Sequence, residues 1–163
     1  MAKEIERKFL VASDGWRQNA KLGKSFRQAI VFSEGNRTLR IRAIDQKKAR
    51  LTIKIGINGH LSRHEFEYDV PIRDAEELLA LANGSTITKT RYEVKHTRHL
   101  WEIDVYGGAL EGLVVAEVEM KSEKERPELP DWLGREVTGD PRYSNQALAE
   151  GSLPENWRDE IQP

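Results

Sequence analysis

The chain has 163 residues, 33% of them charged and 38% hydrophobic, which is enough apolar side chain for one domain with a real core. Its 26 basic and 27 acidic residues leave a net charge of −1, so no global field favours nucleic acid and any basic site has to be local. The lack of cysteine excludes disulfides and thiolate chemistry, Cys-ligated zinc included. Nothing near the N-terminus resembles a signal peptide, and no apolar run approaches the roughly 18–20 residues of a membrane span. A cytoplasmic protein with no membrane or nucleic-acid partner is expected.

The first predicted strand, residues 3–11, sets the pattern. Read with a period of two, it puts Glu4, Glu6 and Lys8 on one face and Ile5, Arg7 and Phe9 on the other. Ser13 is a candidate cap for a short helix through Trp16 to about Ala20, ended by Gly23. Residues 25–32 and 37–44 read as a hairpin about Glu34-Gly35-Asn36, with Arg40 and Arg42 sharing one face of its second strand. Residues 50–55 place Thr52 and Lys54 opposite Leu51, Ile53 and Ile55, and Asn58-Gly59 turns the chain into residues 62–70, where Arg63, Glu65 and Glu67 form one row. A helix is expected over residues 75–82, with Asp74 as N-cap, Glu77 three residues on, and Asn83-Gly84 as its close.

Three further strands follow. Residues 86–95 carry Lys89, Arg91 and Glu93 on one face, residues 100–106 carry Glu102 and Asp104, and residues 112–121 carry Glu117 and Glu119. The tail from Glu123 is rich in Pro, Trp and charge, with a short helix expected over residues 143–149. No repeat or linker divides the chain, so residues 1–163 read as a single domain with its core at about 2–150.

About eight strands thus oppose an apolar row to a row of strong charge. Ordinary wet sheet faces mix in Ser, Thr, Asn and Gln; here Glu, Asp, Lys and Arg dominate. A sheet of this size can close around a usable interior. If the charged face is that interior, helices and the tail must cover the apolar face from outside. Charges of both signs are tolerated there only if they pair or bind counterions. The basic rows suit a polyanion such as a chain of phosphates, and the carboxylate pairs suit a hard cation. The four histidines lie in turns or on the outer face and receive no role, and the tryptophans read as shell packing.

These residues resemble the CYTH domain, or triphosphate tunnel metalloenzyme family, in its short bacterial branch. The resemblance rests on Glu4-x-Glu6-x-Lys8, Thr38-Leu39-Arg40-Ile41-Arg42, Leu51-Thr52-Ile53-Lys54, Arg63-x-Glu65-Phe66-Glu67, Lys89-Thr90-Arg91-Tyr92, Trp101-Glu102-Ile103-Asp104 and Ala116-Glu117-Val118-Glu119. The late stretches Leu129-Pro130-Asp131-Trp132-Leu133-Gly134 and Val137-Thr138-Gly139-Asp140 belong to it as well. It implies a mainly β, α+β fold: an eight-stranded antiparallel closed or C-shaped barrel with a charged interior and a few helices packed outside. It also implies that Glu4, Glu6, Glu117 and Glu119 hold Mg²⁺ or Mn²⁺. Lys8, Arg40, Arg42, Lys54, Arg63, Lys89 and Arg91 would bind phosphate, with Lys8, Lys54, Glu102 and Asp104 catalytic and Glu65 and Glu67 supporting.

The activity implied is metal-dependent hydrolysis of a linear triphosphate, with inorganic tripolyphosphate the leading substrate. Nucleoside or thiamine triphosphate hydrolysis, adenylate cyclisation, and binding of polyphosphate or nucleotide without catalysis are the alternatives. One departure bears on this choice. Members that hydrolyse tripolyphosphate often carry a tyrosine in a Gln-Gly-Tyr context, and here Gln28-Ala29-Ile30 puts Ile30 in its slot. A homodimer formed through the outer face is a further expectation.

Overall fold

The computed structural model describes residues 3–82, 86–151 and 153–161, except the side chain of Glu160. The expected helix close at Asn83-Gly84 lies outside the described residues. The first strand is split into β1 (Lys3–Glu4) and β2 (Glu6–Val11). After a 3-10 turn at Gly15–Asn19 come β3 (Lys24–Glu34), β4 (Arg37–Ile44), β5 (Lys48–Gly56), β6 (Arg63–Val70) and helix α1 (Ile72–Leu81). Then follow β7 (Ile87–His96), β8 (His99–Tyr106), β9 (Val114–Glu119), β10 (Leu133–Glu136) and the short helices α2 (Asn145–Ala149) and α3 (Trp157–Ile161).

All ten strands form one antiparallel sheet in the order β1-β6-β5-β4-β3-β7-β8-β9-β2-β10. Only Ile5 separates β1 from β2, yet β1 pairs with β6 and β2 with β9, so one run of chain touches both ends of the curled sheet. The junction is two residues long: Lys3 faces His64 and Glu4 faces Arg63. Beyond His64 no described strand pairs with the outer edge of β6, and the sheet stays unclosed there.

Ten strands replace the expected eight for two local reasons. Ile5 steps out of the ladder, its carbonyl accepting instead from the Met120 N–H at 2.8 Å. The tail also adds β10 along the open edge of β2, clamped by the forked Arg7–Glu136 pair at 2.7 and 2.9 Å. The early helix is shorter than expected and starts from Asp14 rather than Ser13, without a side-chain cap. Helix α1 begins three residues before the expected start, after Pro71, whose fixed φ suits the entry to a helix.

The apolar sheet face does point outward. Phe9, Val94, Trp101, Ile103, Ala116 and Val118 are covered by Trp16 and Trp132, while Ala29, Ile41, Ala43 and Ala49 are covered by Ala75 and Leu79 of α1. The tail does something that alternation alone did not suggest. Four inward rows end in an apolar residue: Glu6-Lys8 in Leu10, Glu119-Glu117 in Val115, Glu102-Asp104 in Tyr106 and Arg91-Lys89 in Ile87. These four pack with Tyr143, Leu148, Ala149 and Trp157 into a second core that plugs one end of the barrel. Trp157 is thus part of an internal stopper rather than of the outer shell.

Candidate functional site

Above that plug lies a cavity of about 200 Å³ lined by Glu4, Glu6, Arg40, Arg42, Arg50, Lys54, Glu65, Glu67, Arg91, Glu102, Glu117, Glu119 and Asn145. Most of the candidate site residues therefore meet in one chamber, while Lys8, Arg63, Lys89 and Asp104 do not line it. Sequence reasoning missed two, Arg50 and Asn145. Arg50 was readable, because it precedes Thr52 and Lys54 in the same inward row. Asn145 comes from the tail, where no strand period points to the cavity. A larger groove of about 760 Å³ opens outside and shares Glu102 and Glu119 with the chamber. A third cavity, of about 260 Å³, shares Glu6 with the chamber and holds Lys8 and Arg63 beside Thr138 and Ser144.

The charges in this interior fall into three groups. The first is a sealed cluster. Lys89 and Asp104 have side chains 0% and 1% exposed and pair at 2.6 Å, and Arg91 grips the same carboxylate through Nε and Nη2 at 2.7 and 2.8 Å. Burial would raise the Asp104 carboxyl, but the Lys89 and Arg91 charges hold it below the ordinary range. Burial lowers Lys89 to about 7 against the pull of Asp104. Neither side chain lines the cavity. They stand behind Arg91, whose guanidinium does line it and also bonds Glu102 at 3.2 Å.

The second group is acidic and crowded. Glu4 bonds Lys54 at 3.0 Å and Arg63 at 3.2 Å, and Glu6 bonds Arg63 at 2.8 Å. Burial opposes ionisation of Glu4, yet Lys54 and Arg63 hold it at about 2. Its neighbour Glu65 is pushed up to about 7 by burial and by the Glu4 charge. The same division recurs one step along. Burial and the Glu117 and Glu4 carboxylates raise Glu6 well above the ordinary range, while Lys8 and Arg91 outweigh burial and hold Glu117 well below it. Glu119 is raised by burial and by Glu4 and Glu67.

Glu4–Glu65 and Glu6–Glu117 are thus pairs of neighbouring carboxyl groups that cannot both ionise cheaply, and burial and mutual repulsion draw one of each, Glu65 and Glu6, toward keeping its proton. A divalent cation with oxygen ligands would replace those protons, so the acids fit a hard metal ion in kind and number. Among the described residues no three acidic or imidazole groups already converge on one point. Metal binding therefore competes with the Lys54 and Arg63 ion pairs.

The third group is basic and unmatched. Arg40 and Arg42 are each 6% exposed, and among the described residues neither has a carboxylate within ion-pair distance. Arg42 donates from Nε to Gln28 Oε1 at 2.8 Å and stacks over Phe26, while Arg40 reaches only Thr52 Oγ1 at 3.3 Å. Burial and the neighbouring Arg40 and Arg91 charges lower Arg42 to about 9. Burial and Arg91 lower Arg40 as well. Gln28 was not singled out from the sequence, although it shares the inward period of β3. Ile30 faces Arg40 in the β3–β4 register and lines a separate cavity with Gln146.

Three of the histidines pair with the loop after β9, His60 with Glu123, His96 with Glu128 and His99 with Glu125, away from the chamber. Among the described residues no helix is long and apolar enough to cross a membrane.

The CYTH domain family matches residues 2–149. Over 149 residues the chain is 42% identical to an inorganic triphosphatase of Acetivibrio thermocellus, covering 91% of this chain and 94% of that one. An inorganic triphosphatase of Nitrosomonas europaea is 36% identical over 151 residues, with 90% and 96% covered. The crystal structure of the inorganic triphosphatase NE1496 superposes with a TM-score of 0.65 at 35% identity, covering 94% of this chain and 98% of that one.

Proposed function

The chain belongs to the CYTH domain family, and from that premise we propose that it is a metal-dependent inorganic triphosphatase acting on tripolyphosphate. The observation that carries the reading is the pair Arg40 and Arg42, two buried guanidiniums in the wall of a small chamber, neither with a carboxylate within ion-pair distance among the described residues. A buried cation of this kind is costly unless an anion joins it. A linear triphosphate supplies non-bridging oxygens in the planar, forked pattern that guanidiniums match.

Arg40, Arg42 and Arg91 hold the phosphates from one side of the chamber, with Lys54 and Arg63 beside the acids and Lys8 at the adjoining cavity. Water attacks the terminal phosphorus, the bond from that phosphorus to the bridging oxygen breaks, and orthophosphate and diphosphate leave. Charge that builds on the bridging and equatorial oxygens meets donors already fixed in a sheltered site, so little reorganisation is needed at the moment of reaction. Glu4, Glu6, Glu117 and Glu119, with Glu65 at their side, would hold Mg²⁺ or Mn²⁺, which supplies further neutralisation of the phosphate oxygens. Glu102 lies in the chamber wall with a carboxyl raised by burial, suited to holding a water. Asp104 acts through Arg91, keeping that guanidinium ionised and in place; this is a positioning role.

Phosphate release tests the reading, measured with tripolyphosphate, ATP and thiamine triphosphate, each with Mg²⁺, Mn²⁺ or EDTA. Release from tripolyphosphate that needs the metal and exceeds the other two substrates is expected. Tight tripolyphosphate binding without release under any metal would make Ile30 the mark of a chamber that binds and does not hydrolyse.

A further inference from the structure

The tail enters the chamber through one side chain. Tyr143 and Leu148 are both buried in the plug with Leu10, Tyr106 and Val115, which fixes the chain on either side of the start of α2. Ser144 caps that helix by accepting from the Ala147 N–H at 3.1 Å, and Gln146 Nε2 donates to Ser33 Oγ of β3 at 2.9 Å. Asn145, held between them, joins Arg40, Arg42 and Lys54 in the chamber wall. It is the one uncharged side chain among the described residues that line the chamber. Its Oδ1 is shielded from bulk solvent and meets no hydrogen-bond donor among the described residues.

A buried carbonyl oxygen without a donor is uncommon in a folded protein and destabilises it, so its partner belongs to the working state. Arg42 Nε is engaged with Gln28 and Lys54 Nζ with Glu4 and Glu65, while Arg40 Nε, also without a partner among the described residues, is not within hydrogen-bond distance of Oδ1. Phosphate oxygens are themselves acceptors and cannot satisfy Oδ1. Water can, because it donates. A carboxylate in the same place would also accept from water but would repel the triphosphate; a carboxamide does not.

We propose that Asn145 orients the attacking water. Its Oδ1 accepts one water O–H, which leaves an oxygen lone pair free to meet the terminal phosphorus. The new phosphorus–oxygen bond forms as the bridging bond breaks, and the water's protons leave with the phosphate products. The amide stays neutral throughout and contributes orientation alone. This inference rests on the triphosphatase reading.

Steady-state kinetics on tripolyphosphate with Mg²⁺ test it in the full chain, using wild type, Asn145→Ala and Asn145→Asp. Wild-type turnover establishes the parent reading independently. Asn145→Ala is expected to lower kcat about 100-fold with KM changed by less than about 3-fold. Asn145→Asp, which keeps an acceptor, recovers at least about 10-fold of that loss while raising KM by charge repulsion. Thermal melting without substrate supplies a readout apart from activity: removing the unpaired acceptor leaves the Asn145→Ala melting temperature equal to or above that of wild type. With wild type active, an unchanged kcat in Asn145→Ala, a loss confined to KM, or an Asn145→Asp variant no faster than Asn145→Ala overturns the assignment. Should Asn145→Ala melt far below wild type, Asn145→Ser, whose hydroxyl also accepts, decides by the same kcat criterion.

Discussion

Arg42 is the residue at which binding and stability pull in opposite directions, and Arg42→Met separates them. Its guanidinium is buried, and burial with the Arg40 and Arg91 charges lowers it from the ordinary arginine value to about 9. The unfolded chain keeps the higher value, so at neutral pH the fold carries this cation at a cost of at most about 5 kcal/mol. Methionine has similar length and no charge. The change strands Gln28 Oε1, now bonded at 2.8 Å, at about 1–3 kcal/mol, and loses the stacking over Phe26, worth about 1 kcal/mol. The substrate-free Arg42→Met protein is therefore expected to be more stable than wild type by about 1 kcal/mol. Adding Gln28→Leu removes the stranded acceptor and should gain about 1–2 kcal/mol more. With tripolyphosphate the order reverses, because the forked contact is gone, and affinity falls about 100-fold. Urea unfolding of the three proteins in EDTA, with and without tripolyphosphate, reads both effects. An Arg42→Met protein less stable than wild type by more than about 1 kcal/mol in the absence of phosphate would refute the claim that this cation is unmatched.

The sealed cluster predicts the opposite behaviour. Asp104→Asn leaves Lys89 buried without its carboxylate and should cost about 3–5 kcal/mol in urea unfolding, whereas Asp104→Leu with Lys89→Met should recover much of it. If the single change costs less than about 1 kcal/mol, the cluster is not the structural unit described. For the metal-free protein, Glu65 at about 7 holds a proton that the unfolded chain gives up near 4.5, and Glu6, Glu102 and Glu119 are raised in the same sense. Stability contributed by those protons is present at low pH and lost as pH rises through about 7, so the melting temperature in EDTA should fall between pH 5 and 8. Added Mg²⁺ or Mn²⁺ should restore it more at pH 8 than at pH 5, and a melting temperature that climbs with pH in EDTA contradicts this. Glu119→Gln should abolish metal-dependent turnover while leaving the melting temperature in EDTA equal or higher; full turnover with Mg²⁺ would remove Glu119 from the metal site.

Much of the fold was legible because a strand repeats every two residues and the inward rows are strongly charged. The details that escaped are those a period cannot carry. Ile5 leaves the ladder without changing the composition around it, and Glu4 and Glu6 still converge on Arg63, so the split into two strands is invisible in the row. β10 is only four residues long, contains Gly134, and exists because the β2 edge is open. The plug was legible in principle, since Leu10, Val115, Tyr106 and Ile87 continue the charged rows in phase. The partners of the tail were not, because Tyr143, Leu148 and Trp157 are brought to them by tertiary packing alone.

Which charges pair is a matter of strand order, and that order explains why the interior is divided as it is. β3, β4 and β5 follow one another through short turns and lie side by side. Their inward residues, Phe26, Gln28 and Ile30, then Arg40 and Arg42, then Arg50, Thr52 and Lys54, include no acid. Arg40 and Arg42 are thus flanked on both sides by strands that cannot neutralise them. β7 and β8 form the reverse case, with Asp104 opposite Arg91 and Lys89 opposite Tyr106, so one carboxylate lies within reach of two cations. The carboxylates cluster where the first strand joins β6 on one side and β9 on the other, bringing Glu4, Glu6, Glu65, Glu117 and Glu119 into one region. A cation-rich wall facing an acid-rich seam is what a phosphate chain with a bound metal requires, and it follows from which hairpins are neighbours.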